Sequence, residues 1–266
     1  MRSMNRWAAA SALWTVAVLG AVGATSAAAQ TFVTTEQMKV APGHDAAYLE
    51  LEKAWKPVHE ARVKAGLALG WYLYRVASPT GSSDDHNYVT VAIYANYAAM
   101  ENPYPQDLVA KVIAGKDMDA FNTKTLAARD YVRSETWRTE GFTPESVAKP
   151  APFLRVEYMR VPAGGDAAYA EIEKQWRKIH DVRIKDGTMA TWGLYSRMLP
   201  GGSDYPYNYA TVSGYTQFKD MSGLDFAGLV QKAGLGNATE LGDRTAKARD
   251  LVRAEDWVLV DYVQAQ

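Results

Sequence analysis

The sequence matches itself at a shift of 121 residues. Laying residues 32–97 on 153–218 without a gap gives 28 identities in 66 positions. Chance matching of ~6% for ordinary composition would give roughly 4. The run DAAYLELEKAWKPVHEARVKAG falls on DAAYAEIEKQWRKIHDVRIKDG. Further along the shift becomes 120, and TLAARDYVRSETW falls on TAKARDLVRAEDW. Six tryptophans pair off: Trp55 with Trp176, Trp71 with Trp192, and Trp137 with Trp257. Self-similarity at a fixed period limits the fold to something two copies can build together. The chain reads as two units, residues 31–140 and 152–263. The segment GFTPESVAKPA between them, with two prolines and a glycine, is the expected linker.

Both units predict the same elements. EQMKV and VEYMRV are strand-like. A long helix follows, with Asp45 and Asp166 as expected N-caps. Tyr48, Leu51, Trp55 and Val58 recur at spacings of 3 and 4, as do Tyr169, Ile172, Trp176 and Ile179, so each helix has one apolar stripe. Gly66 and Gly187 fit the helix C-termini. Two strands joined by PTGSSDD or PGGSDYP come next, and Asn87 and Asn208 open the second of each pair. A second helical region ends in AARDYVRSE or KARDLVRAE, and a last strand is expected near Trp137 or Trp257. The order is β-α-β-β-α-β, a ferredoxin-like unit.

Such a sheet carries helices on one face only, and a second copy can cover the other. The fold class expected is α+β: tandem duplicated ferredoxin-like units forming an intramolecular dimeric α/β barrel. In element order and duplication the chain resembles the dimeric α/β-barrel superfamily. That superfamily includes antibiotic-biosynthesis-type monooxygenases, NIPSNAP-like proteins, chlorite-dismutase-like haem proteins and small stress proteins. The resemblance rests on no catalytic signature, so it implies a fold and a range of functions rather than one activity.

Residues 1–29 have Arg2 and Arg6, an apolar stretch from Trp7 to Ala24, and Ala27-Ala28-Ala29 before Gln30. This is the pattern of a secretory signal peptide cut near Ala29. The mature chain is then expected in the periplasm or outside the cell, with no membrane span. Basic and acidic residues number 29 and 30, and loss of Arg2 and Arg6 takes the formal charge from −1 to −3. A nucleic-acid binder normally carries a basic surplus, so none is expected. With no cysteine in the chain there is no disulfide, thiol nucleophile or Cys-based metal site. No H-x-x-x-H or H-E-x-x-H pattern, nucleophile elbow, P-loop or dinucleotide fingerprint occurs, and no metal is expected.

The candidate site residues are those retained in both units. His59 and His180 follow Trp55 and Trp176 on the first helix of each unit, and Arg62 and Arg183 come three residues later. A neutral histidine there could be a general base, an axial haem ligand or a hydrogen-bond donor, or it could simply pack at the helix edge. Glu36 and Glu157 share a strand face with Met38 and Met159. Burial would raise their pKa, unless Arg133 and Arg253 pair with them. Trp71, Tyr88, Trp192 and Tyr209 either fill core or line a pocket for a flat compound. Trp71 and Tyr74 should lie on opposite sheet faces.

The reading that follows is an exported small-molecule-binding protein or cofactor-independent enzyme. It would act on an aromatic or apolar compound between helix and sheet, with His59 and His180 as reacting groups. The ligand-contacting set would be Glu36, Trp55, Arg62, Trp71 and Tyr88, with Glu157, Trp176, Arg183, Trp192 and Tyr209. A non-catalytic interaction or stress protein is the alternative, and haem, implied by the resemblance, is the weaker one. Free space of ~300 Å³ or more beside His59 would separate a ligand site from a filled core. The copies differ where Tyr72 faces Gly193 and Arg75 faces Ser196, so one site could have been kept and the other lost.

Overall fold

The computed structural model describes residues 30–81, 84–115, 117–144 and 147–265. The export segment expected at residues 1–29 lies outside these. The first half runs β1 (Phe32–Lys39), α1 (Asp45–Lys64), β2 (Gly70–Ser78), β3 (Tyr88–Tyr94), α2 (Gln106–Val112), α3 (Met118–Ala128) and β4 (Asp130–Thr143). The second repeats the order with β5 (Phe153–Arg160), α4 (Asp166–Lys185), β6 (Thr191–Leu199), β7 (Tyr209–Tyr215), α5 (Phe226–Lys232), α6 (Ala238–Ala248) and β8 (Asp250–Gln264). The expected second helical region is thus two short helices in each half.

The eight strands close into one antiparallel barrel in the order β1-β3-β2-β8-β5-β7-β6-β4. Within each half the long last strand flanks the first, and across the halves β2 pairs with β8 and β4 with β6. Closure leaves no sheet edge unpaired among the described residues. Strand alternation sorts the side chains. Val33, Tyr72, Tyr74, Val76, Val89 and Trp137 of the first half and Leu154, Val156, Tyr158, Ala210 and Trp257 of the second point inward and form the barrel core. Met38, Trp71, Leu73 and Tyr88 point outward and are buried beneath α1. Trp71 and Tyr74 therefore lie on opposite faces, as the pleat requires.

Three local expectations change. Asp45 is the first residue of α1, preceded by His44 at the cap, and Gly165 precedes Asp166 in α4. The two carboxylates accept instead from the Tyr88 and Tyr209 hydroxyls, both at 2.8 Å. The last strands begin at Asp130 and Asp250, seven residues before the tryptophans. RDYVRSE is extended because its backbone pairs with β1, in a register that matches Lys39 to Asp130. Gly141, Phe142 and Thr143, assigned to the linker from sequence, pair with Leu194, Gly193 and Trp192 of β6 respectively and extend β4. Gly66 and Gly187 do end their helices, with φ of 71° and 75°, a conformation that strains other residues.

Candidate functional site

Helix α1 presents Glu52, Trp55 and His59 at spacings of 3 and 4, so all three share the face turned to the sheet. Glu36 and Met38 of β1, Trp71 of β2 and Thr90 of β3 meet them from below. Tyr104, Thr125, Arg129 and Tyr131 complete the walls of a cavity of about 220 Å³. A neighbouring space of about 90 Å³ shares Glu36, Trp71, Thr90 and Tyr104. The room beside His59 is thus divided and smaller than the range for drug-sized ligands. It suits a single ring: an apolar cavity of about 150 Å³ accepts benzene.

His59 is held from two sides. Its ring stacks on Trp71 at 4.1 Å with planes 9° apart. Its Nδ1 lies 3.1 Å from Arg62 Nη1. A guanidinium can only donate, so Nδ1 accepts and the ring proton sits on Nε2. Burial, and then the Arg62 charge, push the His59 pKa down to about 3, so the imidazole is neutral. Arg62 is itself fully buried. It donates to the Pro103 carbonyl at 2.6 Å and the Tyr94 hydroxyl at 3.1 Å, and lies 3.8 Å over the Tyr104 ring. Arg62 therefore fixes His59 and braces the cavity wall.

The titrating group in the cavity is Glu52. Burial raises its carboxyl to about 7, and the nearby Glu36 charge adds to this, against the opposing pull of Tyr48 and Arg129. Arg129 makes no ion pair among the described residues, and its buried Nε has no hydrogen-bond partner. A half-ionised carboxyl, an unpaired guanidinium and a neutral imidazole N–H thus meet in one small space. Such a set can take a proton from a weak acid and hold the resulting anion.

The remaining sequence candidates divide. Trp55 lines the cavity and donates from Nε1 to Thr125 Oγ1 at 3.1 Å. Glu36 lines it and accepts from Thr90 Oγ1 at 3.2 Å, as Glu157 does from Thr211 at 3.5 Å. The expected Arg133–Glu36 and Arg253–Glu157 pairs do not form. Those arginines lie on the barrel-interior face of β4 and β8, where they meet Asp85, Glu135 and Glu255. Tyr88 and Tyr209 are tied to Asp45 and Asp166 and brace the starts of α1 and α4 rather than the cavity.

In the second half Glu173 is also raised to about 7 and His180 lowered to about 3, both chiefly by burial. The support differs. His180 lies 5.2 Å from Trp192, and its Nδ1 is buried without a partner. Arg183 reaches only the Tyr215 hydroxyl at 3.5 Å and the Asp220 carbonyl at 3.3 Å. Trp176 stacks on Phe226 at 5.3 Å. Sequence reasoning missed Glu52, Glu173, Arg129 and Arg249. The signal was present, since both pairs are retained and each glutamate sits three residues before the paired tryptophan. Tyr131 left none, because its counterpart is Leu251.

No protein-family model and no curated protein matches the sequence. Solved structures do match the fold. A candidate monooxygenase of Lactobacillus acidophilus NCFM superimposes with a TM-score of 0.57 at 12% identity, over 89% of this chain and 96% of its own. A candidate monooxygenase of Fusobacterium nucleatum gives 0.55 at 12% identity, over 89% and 95%. A candidate chlorite dismutase gives 0.51 at 10% identity, over 87% and 95%. At such identities the likeness describes architecture alone, the closed eight-stranded antiparallel barrel with helices outside it.

Proposed function

We propose that the protein binds a small, weakly acidic ring compound in the cavity between α1 and its sheet, and that Glu52 exchanges a proton with it. The observation that carries this is the buried Glu52 carboxyl, which lines one cavity with His59 and with Arg129, whose Nε has no partner; burial pushes the carboxyl up to about 7. The ionised carboxylate takes the proton of the ligand hydroxyl or activated C–H. The electron pair stays on the ligand, where Arg129 and the His59 Nε2–H stabilise it. Trp55 and Trp71 supply flat apolar walls. Names of monooxygenase and oxidase type among the structural neighbours agree with a small-molecule role.

Haem is not part of this reading, because the residues around His59 do not fit it. A space of about 220 Å³ takes one ring, not four. The His59 Nδ1 faces a guanidinium, and one ring face is covered by Trp71.

We also read the chain as two fused ferredoxin-like units carrying an export signal over residues 1–29. N-terminal sequencing of protein recovered outside the cytoplasm is expected to begin at Gln30. Retention of Met1 would rule out cleavage.

The site is tested with 4-nitrophenol, whose phenolate is coloured and whose phenol is not. Wild type at pH 8, where Glu52 is ionised and the free ligand is phenolate, is expected to quench tryptophan fluorescence saturably and to take up a proton from the buffer on binding, as Glu52 becomes protonated beside the bound anion. Glu52→Gln should bind without that proton uptake, and His59→Ala should bind more weakly. Equal proton uptake by wild type and Glu52→Gln would remove Glu52 from its role. Absence of binding would favour the interaction-protein reading.

A further inference from the structure

A second cavity, of about 160 Å³, lies inside the barrel, on the opposite face of the sheet from the Glu52 cavity. An eight-stranded barrel is just wide enough for its side chains to fill it or for one small ligand to enter. Here the inward side chains leave a space open among them. In β2 Tyr72 projects inward, but its counterpart in β6 is Gly193. A Cβ at Gly193 would come within 2.7 Å of the Tyr195 hydroxyl. The Tyr195 ring therefore covers Gly193, as the Tyr72 ring covers Gly70, and the open space lies between these rings and the opposite wall of the barrel.

The lining is apolar except for tyrosine and threonine hydroxyls and Gln264. Among the described residues no Arg, Lys, His, Asp or Glu contributes to it. A charged guest would lose its hydration and find no partner, so the cavity selects neutral molecules. Tyr74, Tyr158 and Tyr195 border it. No hydrogen bond of their hydroxyls is formed with described residues, and burial pushes all three pKa values up, so they stay protonated. Their oxygens are not among the fully buried polar atoms without a partner, so they keep access to free space, where an acceptor on a guest can meet them. Gln264, which accepts from the Tyr72 hydroxyl at 3.3 Å and donates to the Val147 carbonyl at 3.1 Å, bounds one end.

We infer that the barrel interior is a second ligand site, for a neutral, benzene-sized ring bearing a carbonyl oxygen that accepts from the unpartnered tyrosine hydroxyls. Its size is close to that of an apolar cavity known to stay dry and take benzene, about 150 Å³. The reading is independent of the Glu52 cavity, which selects an acidic compound and lies outside the sheet.

Acetophenone is the probe, with ethylbenzene as a control of nearly equal size lacking the oxygen. Wild type is expected to bind acetophenone saturably and more tightly than ethylbenzene. Intermolecular NOEs should run from the ring to the methyls of Val91, Val156 and Val212. Ala210→Leu, which fills the cavity, should weaken binding by about tenfold or more, and Glu52→Gln should leave it unchanged. NOEs to Met38 or Thr125 instead, or loss of binding in Glu52→Gln, would place the ring outside the barrel and overturn the inference. So would no saturable binding. Equal affinity for ethylbenzene would overturn the role of the hydroxyls. Should Ala210→Leu fail to fold, the wild-type NOEs decide.

Discussion

Glu52 and His59 tie stability to pH with opposite signs. The folded Glu52 carboxyl, at about 7, lies above its ordinary 4.5, so the native state holds a proton that the unfolded chain has released. Its contribution therefore falls as pH rises from 4.5 through 7. His59, lowered from 6.5 to about 3, is neutral in the native state where the unfolded chain is protonated, so its contribution falls as pH drops below 6.5. In wild type the two slopes oppose each other between pH 4.5 and 6.5. Urea unfolding of Glu52→Gln against wild type should show a difference that moves in favour of the variant as pH rises from 4.5 to 7. The change should be on the order of 1–3 kcal/mol. A constant difference would mean that Glu52 titrates normally. For His59→Phe the difference should move in favour of the variant as pH falls below 6.5.

At the scale of elements, Asn87 and Asn208 do more than open a strand. Asn87 Oδ1 accepts from the Val40 N–H at 2.8 Å, and Nδ2 donates to the Val40 carbonyl at 2.9 Å. Asn208 makes the same pair of bonds to Val161, at 2.8 and 3.0 Å. Each amide substitutes for one backbone partner, joining the start of β3 or β7 to the end of β1 or β5. Only an amide offers a donor and an acceptor in this geometry. Asn208→Ala should cost about 1–3 kcal/mol, and Asn208→Asp should not rescue it, since its carboxylate would face the Val161 carbonyl. Chemical denaturation measures both. Retention of these residues was visible in the sequence. The partner, 47 residues earlier, was not, because periodicity records which face a side chain takes and not which strand lies beside it.

At the scale of the whole molecule, the halves are joined by strands and by reciprocal buried contacts. His86 of the first half lies 3.3 Å from Glu255 of the second, which also accepts from Trp257 Nε1 at 2.7 Å. Tyr205 and Tyr207 of the second half donate to Glu135 of the first. His86→Leu should cost about 3 kcal/mol or more by leaving Glu255 buried with one partner fewer. Since β2–β8 and β4–β6 must both break to separate the halves, calorimetry should show one cooperative transition. Its van't Hoff and calorimetric enthalpies should agree. Two resolved transitions would mean that the halves unfold separately.

The repeat by itself determined the element order, the apolar stripes of α1 and α4, the opposite facing of Trp71 and Tyr74, and the need for a partner to cover each sheet. These are local or periodic properties, written in spacing and retention. His59, Trp55, Glu36 and Trp71 were legible as one site because helix and strand periods put them on facing surfaces. Tertiary structure alone decided the rest. It turned Arg133 and Arg253 to the barrel-interior face, gave Glu52 its burial beside Arg129, and left a space open among the inward side chains. The reason is physical: desolvation, ion pairing and cavity volume depend on atoms distant in sequence, and only closure of the barrel brings those atoms together.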